Sequence, residues 1–340
     1  MLDHRPYRRV RSGVPLPPRF ALLPLVACLL ALTPLAQAQH WQGGPPLAVP
    51  RQEIAAAWLD GALYAIGGFD ARGGTLASVE RWRPGDAAWE TVAPLPVAVN
   101  HPAAGVVGGR LVVVGGYRGP FLANATDAVQ VYDPTADAWA LAAPMPSARG
   151  GLAANVLDDR LVAVGGARDG VSVADVAAFD VAADTWTVLA PMPTPRDHLG
   201  VAVLAGRLHA VGGRAGGHDH DAVDPFTLAI HEVYDPATDA WVAAEPLPTG
   251  RSGHAVAALD GCLYALGGEG NRADPRGMFD EVERFAAARG AWEALDAMPV
   301  PRHGMGAVPV DGRLWMPGGG LVAGLGATDH VDAFTPLACR

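Results

Sequence analysis

The chain has 340 residues, half of them apolar, with 42 glycines, 30 prolines and no lysine. Its net charge of −10 argues against nucleic acid or an anionic lipid surface as partner. The absence of lysine excludes Schiff-base and lysine general-base chemistry. The length alone allows two domains, but closed all-β folds of this size form single units.

The first 38 residues read as a secretory leader. Arg5, Arg8, Arg9, Arg11 and Arg19 make a basic start, Phe20 to Leu35 an apolar core, and Ala36-Gln37-Ala38 a small-residue cleavage site. Export with cleavage before Gln39 is expected, to the periplasm or beyond the cell, and the apolar core is too short for a stable membrane span. Leu25-Val26-Ala27-Cys28 is an alternative lipoprotein box. Removing the leader takes away five arginines and one aspartate, so the mature chain is more acidic still. Cys262 and Cys339 remain. They either pair in an oxidising compartment or stay as two separate thiols.

From Gln39 onward one pattern recurs six times, and residues 39–340 are read as one domain. An apolar strand closes on a glycine pair at Leu63–Gly68, Leu111–Gly116, Leu161–Gly166, Leu208–Gly213, Leu263–Gly268 and Leu314–Gly319. The first glycine of each pair stands 26 residues after a tryptophan: Trp41, Trp89, Trp139, Trp186, Trp241 and Trp292. A period near 50 residues marks a repeat architecture. Each repeat reads as four strands. In the fifth, Arg251–Leu259 is followed by the hairpin turn Asp260-Gly261. Cys262–Leu266, a variable loop, Glu281–Phe285 and a last strand at Trp292 complete it. The third strand ends in an aromatic each time: Trp82, Tyr132, Phe179, Tyr234, Phe285 and Phe334. Four short strands cannot bury two faces alone, so the rings are expected to pack between neighbouring sheets.

Gly-Gly, then Tyr-Asp-Pro (Tyr132-Asp133-Pro134, Tyr234-Asp235-Pro236), then Trp, then Pro-x-Pro-Arg resembles the kelch repeat of galactose-oxidase-type propellers. The resemblance covers the whole mature chain. It implies an all-β fold, a six-bladed β-propeller with four-stranded antiparallel blades at 51–89, 98–139, 147–186, 194–241, 249–292 and 300–335. The last repeat lacks a fourth strand, and Trp41 is an orphan. His40 to Pro46 is therefore expected to add the outer strand of the last blade and close the ring. The chain looks like an exported bacterial-type member. The fold itself hosts both binding modules and enzymes.

The face carrying the starts of the first strands and the loops after the glycine pairs is the expected site. Arg51, Arg149, Arg196, Arg251 and Arg302 open the first strand in five repeats, where the second has Val99-Asn100-His101. These arginines either belong to the repeat scaffold, bonding loop carbonyls, or form a ring for an anionic ligand such as a carboxylate or sugar acid. His101, His198 and His303 stand beside them and are candidates for the channel mouth, whereas His254 fits the repeat pattern. Glu53 and Asp197 are candidate partners for the arginines. No metal ligand set follows from spacing, since the histidines lie on different repeats, and no cofactor is expected; a histidine-lined channel holding zinc, iron or copper is the alternative. The loop His218-Asp219-His220-Asp221, with Asp224, reads as solvated, or as an offer of two imidazoles to one ion. The polar loop Glu269–Arg276 is a place to grip a partner, and Asn124-Ala125-Thr126 is formally a glycosylation sequon.

The expected function is binding of a protein or a small anionic or sugar ligand on the arginine-bearing face. The first alternative is suggested by similarity in blade number and compartment to exported sialic-acid mutarotases. It is a mutarotase or epimerase in which an arginine fixes the carboxylate and His101, His198, Glu53 or Asp197 moves protons. The second is a purely structural interaction scaffold using blade edges and loops. A copper-oxidase reading is disfavoured because Cys262 starts a second strand on the opposite face.

Overall fold

The computed structural model describes residues 39–120, 122–215 and 227–339, with Met1, Leu2, Pro6 and Gly13. The expected leader core and cleavage site and the His218–Asp224 loop lie outside the described residues. The chain divides into two units, Met1–Ala36 and Gln37–Arg340, and the strands belong to the second. Among the described residues no helix is long and apolar enough to cross a membrane.

Among the described residues the strands form six antiparallel four-stranded sheets, with one two-stranded hairpin of Ala167–Arg168 and Val171–Ser172. Blade one is Ala55–Leu59, Ala62–Ile66, Val79–Trp82 and Glu90–Val92; blade two is Ala103–Val107, Arg110–Val114, Val129–Asp133 and Ala138–Ala142. Blade three is Ala153–Leu157, Arg160–Val164, Val176–Asp180 and Thr185–Val188; blade four is Gly200–Leu204, Arg207–Val211, His231–Asp235 and Ala240–Ala243. Blade five is Ala255–Leu259, Cys262–Leu266, Val282–Ala286 and Ala291–Ala294. Blade six is Val308–Val310, Arg313–Pro317 and Val331–Thr335, with His40–Gly43 paired antiparallel on its outer side. The first strands of successive blades stand side by side, and that of blade six meets that of blade one, so the sheets form a ring.

Local chemistry explains each feature. All six hairpin turns between first and second strands have positive φ at both turn residues, as at Asp260 (49°) and Gly261 (81°). That geometry matches the right-handed twist of the flanking strands. The 26-residue spacing runs from the outer strand of one blade to the end of the second strand of the next, and within each blade the aromatics form a row across the sheet. Leu263 faces Phe285 and Phe285 faces Trp292; Leu314, Phe334 and Trp41 line up the same way. The aromatics pack between blades, with Tyr64 of blade one edge-on to Tyr132 of blade two at 5.8 Å.

The glycine pair is the joint between blades. Gly267 and Gly268 have φ of 59° and 117°. A Cβ on Gly267 would lie 2.5 Å from the Arg302 carbonyl oxygen of the next blade, and the Gly268 amide donates to that same oxygen at 2.8 Å. Only glycine tolerates both the backbone conformation and the approach. Cys262, at the start of the second strand of blade five, is disulfide-bonded to Cys339 in the C-terminal tail.

Candidate functional site

The five arginines do not reach the channel mouth, and the ligand-binding role expected for Arg51, Arg149, Arg196, Arg251 and Arg302 finds no support in this geometry. All five are at most 1% exposed. Arg251 donates to the carbonyls of Thr249 and Ala265, both at 3.1 Å, and to Glu283 Oε2 at 2.6 Å. Arg51 is paired with Glu80, Arg196 with Glu232 and Arg302 with Asp332. The acid stands two residues before the third-strand aromatic. In blade two, where Val99 replaces the arginine, that position is Gln130, which bonds the Val97 backbone instead. In blade three it is Ala177, and Arg149 instead donates to Ser147 Oγ at 2.7 Å and to Ala163 O at 3.4 Å, with Asp175 at 3.9 Å. Burial pulls Arg149 down to about 10, against the weaker opposing pull of Asp175.

The site lies one step further along the chain. The second residue after the arginine register is Glu53, His101, Gly151, His198, Gly253 or Gly304, and all six have φ between 50° and 62°. This backbone turn aims the amides of five of them at the preceding blade. His101 N donates to Glu53 O (2.9 Å), Gly151 to His101 (3.1 Å), His198 to Gly151 (2.8 Å), Gly253 to His198 (2.9 Å) and Gly304 to Gly253 (2.8 Å). Ile54 N closes the belt on Gly304 O at 3.2 Å. Three blades place glycine here, which suits positive φ. The other three place Glu53, His101 and His198, in a conformation costing roughly 1–2 kcal/mol for a residue with a Cβ.

Those three side chains fill the space the glycines leave. A Cβ on Gly304 would lie 2.6 Å from the Glu53 carboxyl carbon, and one on Gly151 3.0 Å from the His198 ring. The cavity has a volume of about 90 Å³ and is lined by two six-membered layers. The upper is the belt; the lower is Ile54, Pro102, Leu152, Leu199, His254 and Met305, one per blade. Several waters or a small group fit such a volume, whereas drug-sized ligands occupy pockets of about 300 Å³ or more.

A polar network surrounds the cavity. Glu53 Oε2 is 3.3 Å from His101 Nε2, and Glu53 Oε1 is 3.0 Å from His303 Nδ1. His303 Nδ1 also lies 3.4 Å from Glu269 Oε2, and its Nε2 lies 3.1 Å from the Val322 carbonyl. Both ring nitrogens of His303 thus face acceptors, the environment of an imidazolium. Arg214 bridges Glu269 (3.3 Å) and Asp197 (3.0 Å) and donates to His198 Nε2 (3.1 Å). His198 Nδ1 is 2.6 Å from Asp197 Oδ1. His101 Nδ1 is 2.7 Å from Asn100 Oδ1, the amide being oriented by donation to Thr75 Oγ1 and Gly119 O.

Titration follows these contacts. Burial alone would raise the Glu53 carboxyl, but His101, the His303 hydrogen bond and charge, and His198 together hold it well below the usual carboxylate range. Burial pulls His101 down to about 3 against the opposing pull of Glu53. Burial also opposes charge on His303, yet Glu269 and Glu53 raise it to about 9.

Of the residues expected from sequence, His101, His198 and His303 meet at the mouth with Glu53 and Asp197. Glu53 and Asp197 do not partner the five arginines. His254 lies in the lower layer, where burial and then Arg251 pull it down to about 3. Sequence reasoning missed Arg214, which directly follows Gly212-Gly213. The residue after each pair bridges the first strand's opening: Asp197 with Arg214, Ser252 with Glu269, Asn100 with Tyr117. That fixed offset was the available signal.

Residues 50–96, 99–146 and 148–193 match the Kelch motif family. The chain is 33% identical over 301 residues to Kelch-like protein terF of Aspergillus terreus, a match spanning 84% of this chain and 65% of that protein. It is 46% identical over 76 residues to Kelch-like protein 35 of Mus musculus, across 22% of this chain and 13% of that one. The match thus spans less than two thirds of these relatives' own length. The solved structure of YjhT superposes with a TM-score of 0.69 at 16% identity, covering 84% of this chain and 95% of that one. This is a likeness of fold alone.

Proposed function

We propose, from the Kelch motifs matched within residues 50–193 and the likeness to Kelch-like protein terF, that this kelch-type propeller is an exported binding module that takes a small polar ligand at the mouth of its central channel. One observation carries the reading: three of six equivalent positions give up glycine at positive φ to bring Glu53, His101 and His198 into one cavity. Backbone strain of this kind clusters at ligand clamps and active sites. Arg214, with 23% of its side chain exposed, would present the cation that the buried arginines do not. The leader composition and the Cys262–Cys339 disulfide support an oxidising compartment. A sugar-acid mutarotase or epimerase draws less support, because the arginines meant for its carboxylate are occupied and the cavity is small. A protein partner on the rim is the second reading. It is favoured by Leu141, Val188 and Val242, exposed apolar residues on the outer strands of three consecutive blades.

The test is ligand-observed NMR in chelator with N-acetylneuraminate, glucuronate, neutral hexoses and simple carboxylates, on the wild type and Arg214→Ala. Saturation transfer to at least one compound, lost in the variant, supports the reading. Silence across the panel, or equal transfer in both proteins, defeats it.

A further inference from the structure

We propose that Glu53, His101 and His198 form a binding site for one divalent transition-metal ion of the zinc class at the top of the channel. The proposal deepens the reading of the mouth as a binding site and rests on it. One ligand atom from each of the three residues lies within 4.8 Å of the others, and all three residues are buried. The other ring nitrogen of each histidine is hydrogen-bonded, and the other Glu53 oxygen lies at ion-pair distance from His303. His101 Nδ1 faces Asn100 Oδ1 at 2.7 Å, His198 Nδ1 faces Asp197 Oδ1 at 2.6 Å, and Glu53 Oε1 faces His303 Nδ1 at 3.0 Å. Outer partners of this kind fix tautomer and ring orientation for metal-ligating histidines. They leave His101 Nε2, His198 Nε2 and Glu53 Oε2 as the donors.

His101 Nε2 stands 3.3 Å from Glu53 Oε2. The separation suits a shared metal ion, because donors 2.0–2.1 Å from a tetrahedral metal stand ~3.3 Å apart. His198 would complete the set by exchanging its Arg214 hydrogen bond for the metal, and Arg214 would keep Asp197 and Glu269 as partners. Two imidazoles and one carboxylate leave a fourth position for water or ligand, the arrangement of an open zinc site.

The test uses untagged, metal-stripped protein and the metal alone. One equivalent of Co²⁺ is expected to bind with the visible d–d bands of a tetrahedral site and to be displaced by Zn²⁺. Glu53→Gly and His101→Gly put into these blades what three others already carry, and are expected to weaken binding at least ~100-fold. Asn100→Ala, which removes only an outer partner, is expected to weaken it ~10-fold. If the wild type binds no more Co²⁺ or Zn²⁺ than the Glu53→Gly/His101→Gly double variant, the cluster is a hydrogen-bonded plug and the proposal falls. The chelator-treated sugar panel is unaffected by that result, so the two failures are distinguishable.

Discussion

Arg251 and Glu283 illustrate how a tempting residue can be read from the wrong partner. The arginine's recurrence in five repeats is visible in the sequence, and so is an acid two residues before the third-strand aromatic in four of them: Glu80, Glu232, Glu283 and Asp332. Each acid pairs with the arginine of its own blade. Blade two lacks both charges and uses Val99 and Gln130. An arginine that disappears together with its acid belongs to the scaffold. The histidines carry no such repeat partner, and their convergence was illegible because it depends on how six blades meet at the axis. Breaking one side of a buried pair leaves an uncompensated charge and costs about 3–5 kcal/mol. Glu283→Gln is expected to lose that much in urea unfolding. The double variant Arg251→Val/Glu283→Gln, which copies blade two, should lose clearly less than the sum of the two single changes. Additive losses would mean that the two side chains do not act as a pair.

At the scale of the strand, the tryptophan that served as a ruler is also a fastener. The indole N–H of Trp186 donates to Ala143 O at 3.0 Å, and Asp184 accepts the Ala143 amide at 2.7 Å, so two groups of one blade clamp a single residue of the one before. Trp139 with Asp137 clamps Ala93, and Trp241 with Asp239 clamps Ala190, in the same way. Trp89 bonds Pro45 O; proline offers no amide, and Ala87 stands where the aspartate would. The row of aromatics within each blade was legible because it cannot slip without turning its residues to the other face. The clamp was not, since its acceptor is a backbone group of another repeat. Trp41, on the outer strand of blade six, is the exception. Its Nε1 is buried and finds no hydrogen-bond partner among the described residues, while Gln39 Oε1 takes the Asp296 amide at 3.0 Å. Trp186→Phe is therefore expected to cost about 1 kcal/mol beyond its lost packing, the net worth of one hydrogen bond. Trp41→Phe, which sheds an unsatisfied donor, should cost measurably less. Thermal melts of the two variants side by side decide this, and equal losses would contradict the clamp.

For the whole molecule, the ends of the folded chain matter more than any single blade. Blade six draws strands from both ends: His40–Gly43 lies beside Val331–Thr335. Both ends are also fastened to blade five. Gln39 bonds Asp296, Arg284 donates to the carbonyls of Leu337 (2.7 Å) and Ala338 (3.3 Å), and Cys339 is joined to Cys262. The other flank of blade six is held without a covalent link. Gly319 N donates to Arg51 O, Ile54 N to Gly304 O, and Leu47 N to Asp329 O. A ring assembled this way is expected to open first at its seam, because the sheet there is completed by a segment far away in sequence. The disulfide bridges residues 77 apart. In the chain-entropy account, closing a loop of that length removes about 4.5 kcal/mol of freedom from the unfolded chain. Cys262→Ser/Cys339→Ser is expected to lower stability by up to that amount. Reducing the wild type should do the same, and reduction should leave the variant unchanged. Amide exchange should quicken first at Val331–Thr335 and His40–Gly43, where local opening frees the seam. A variant that melts with the wild type and exchanges no faster at these strands would show that hydrogen bonds and packing alone hold the ring shut.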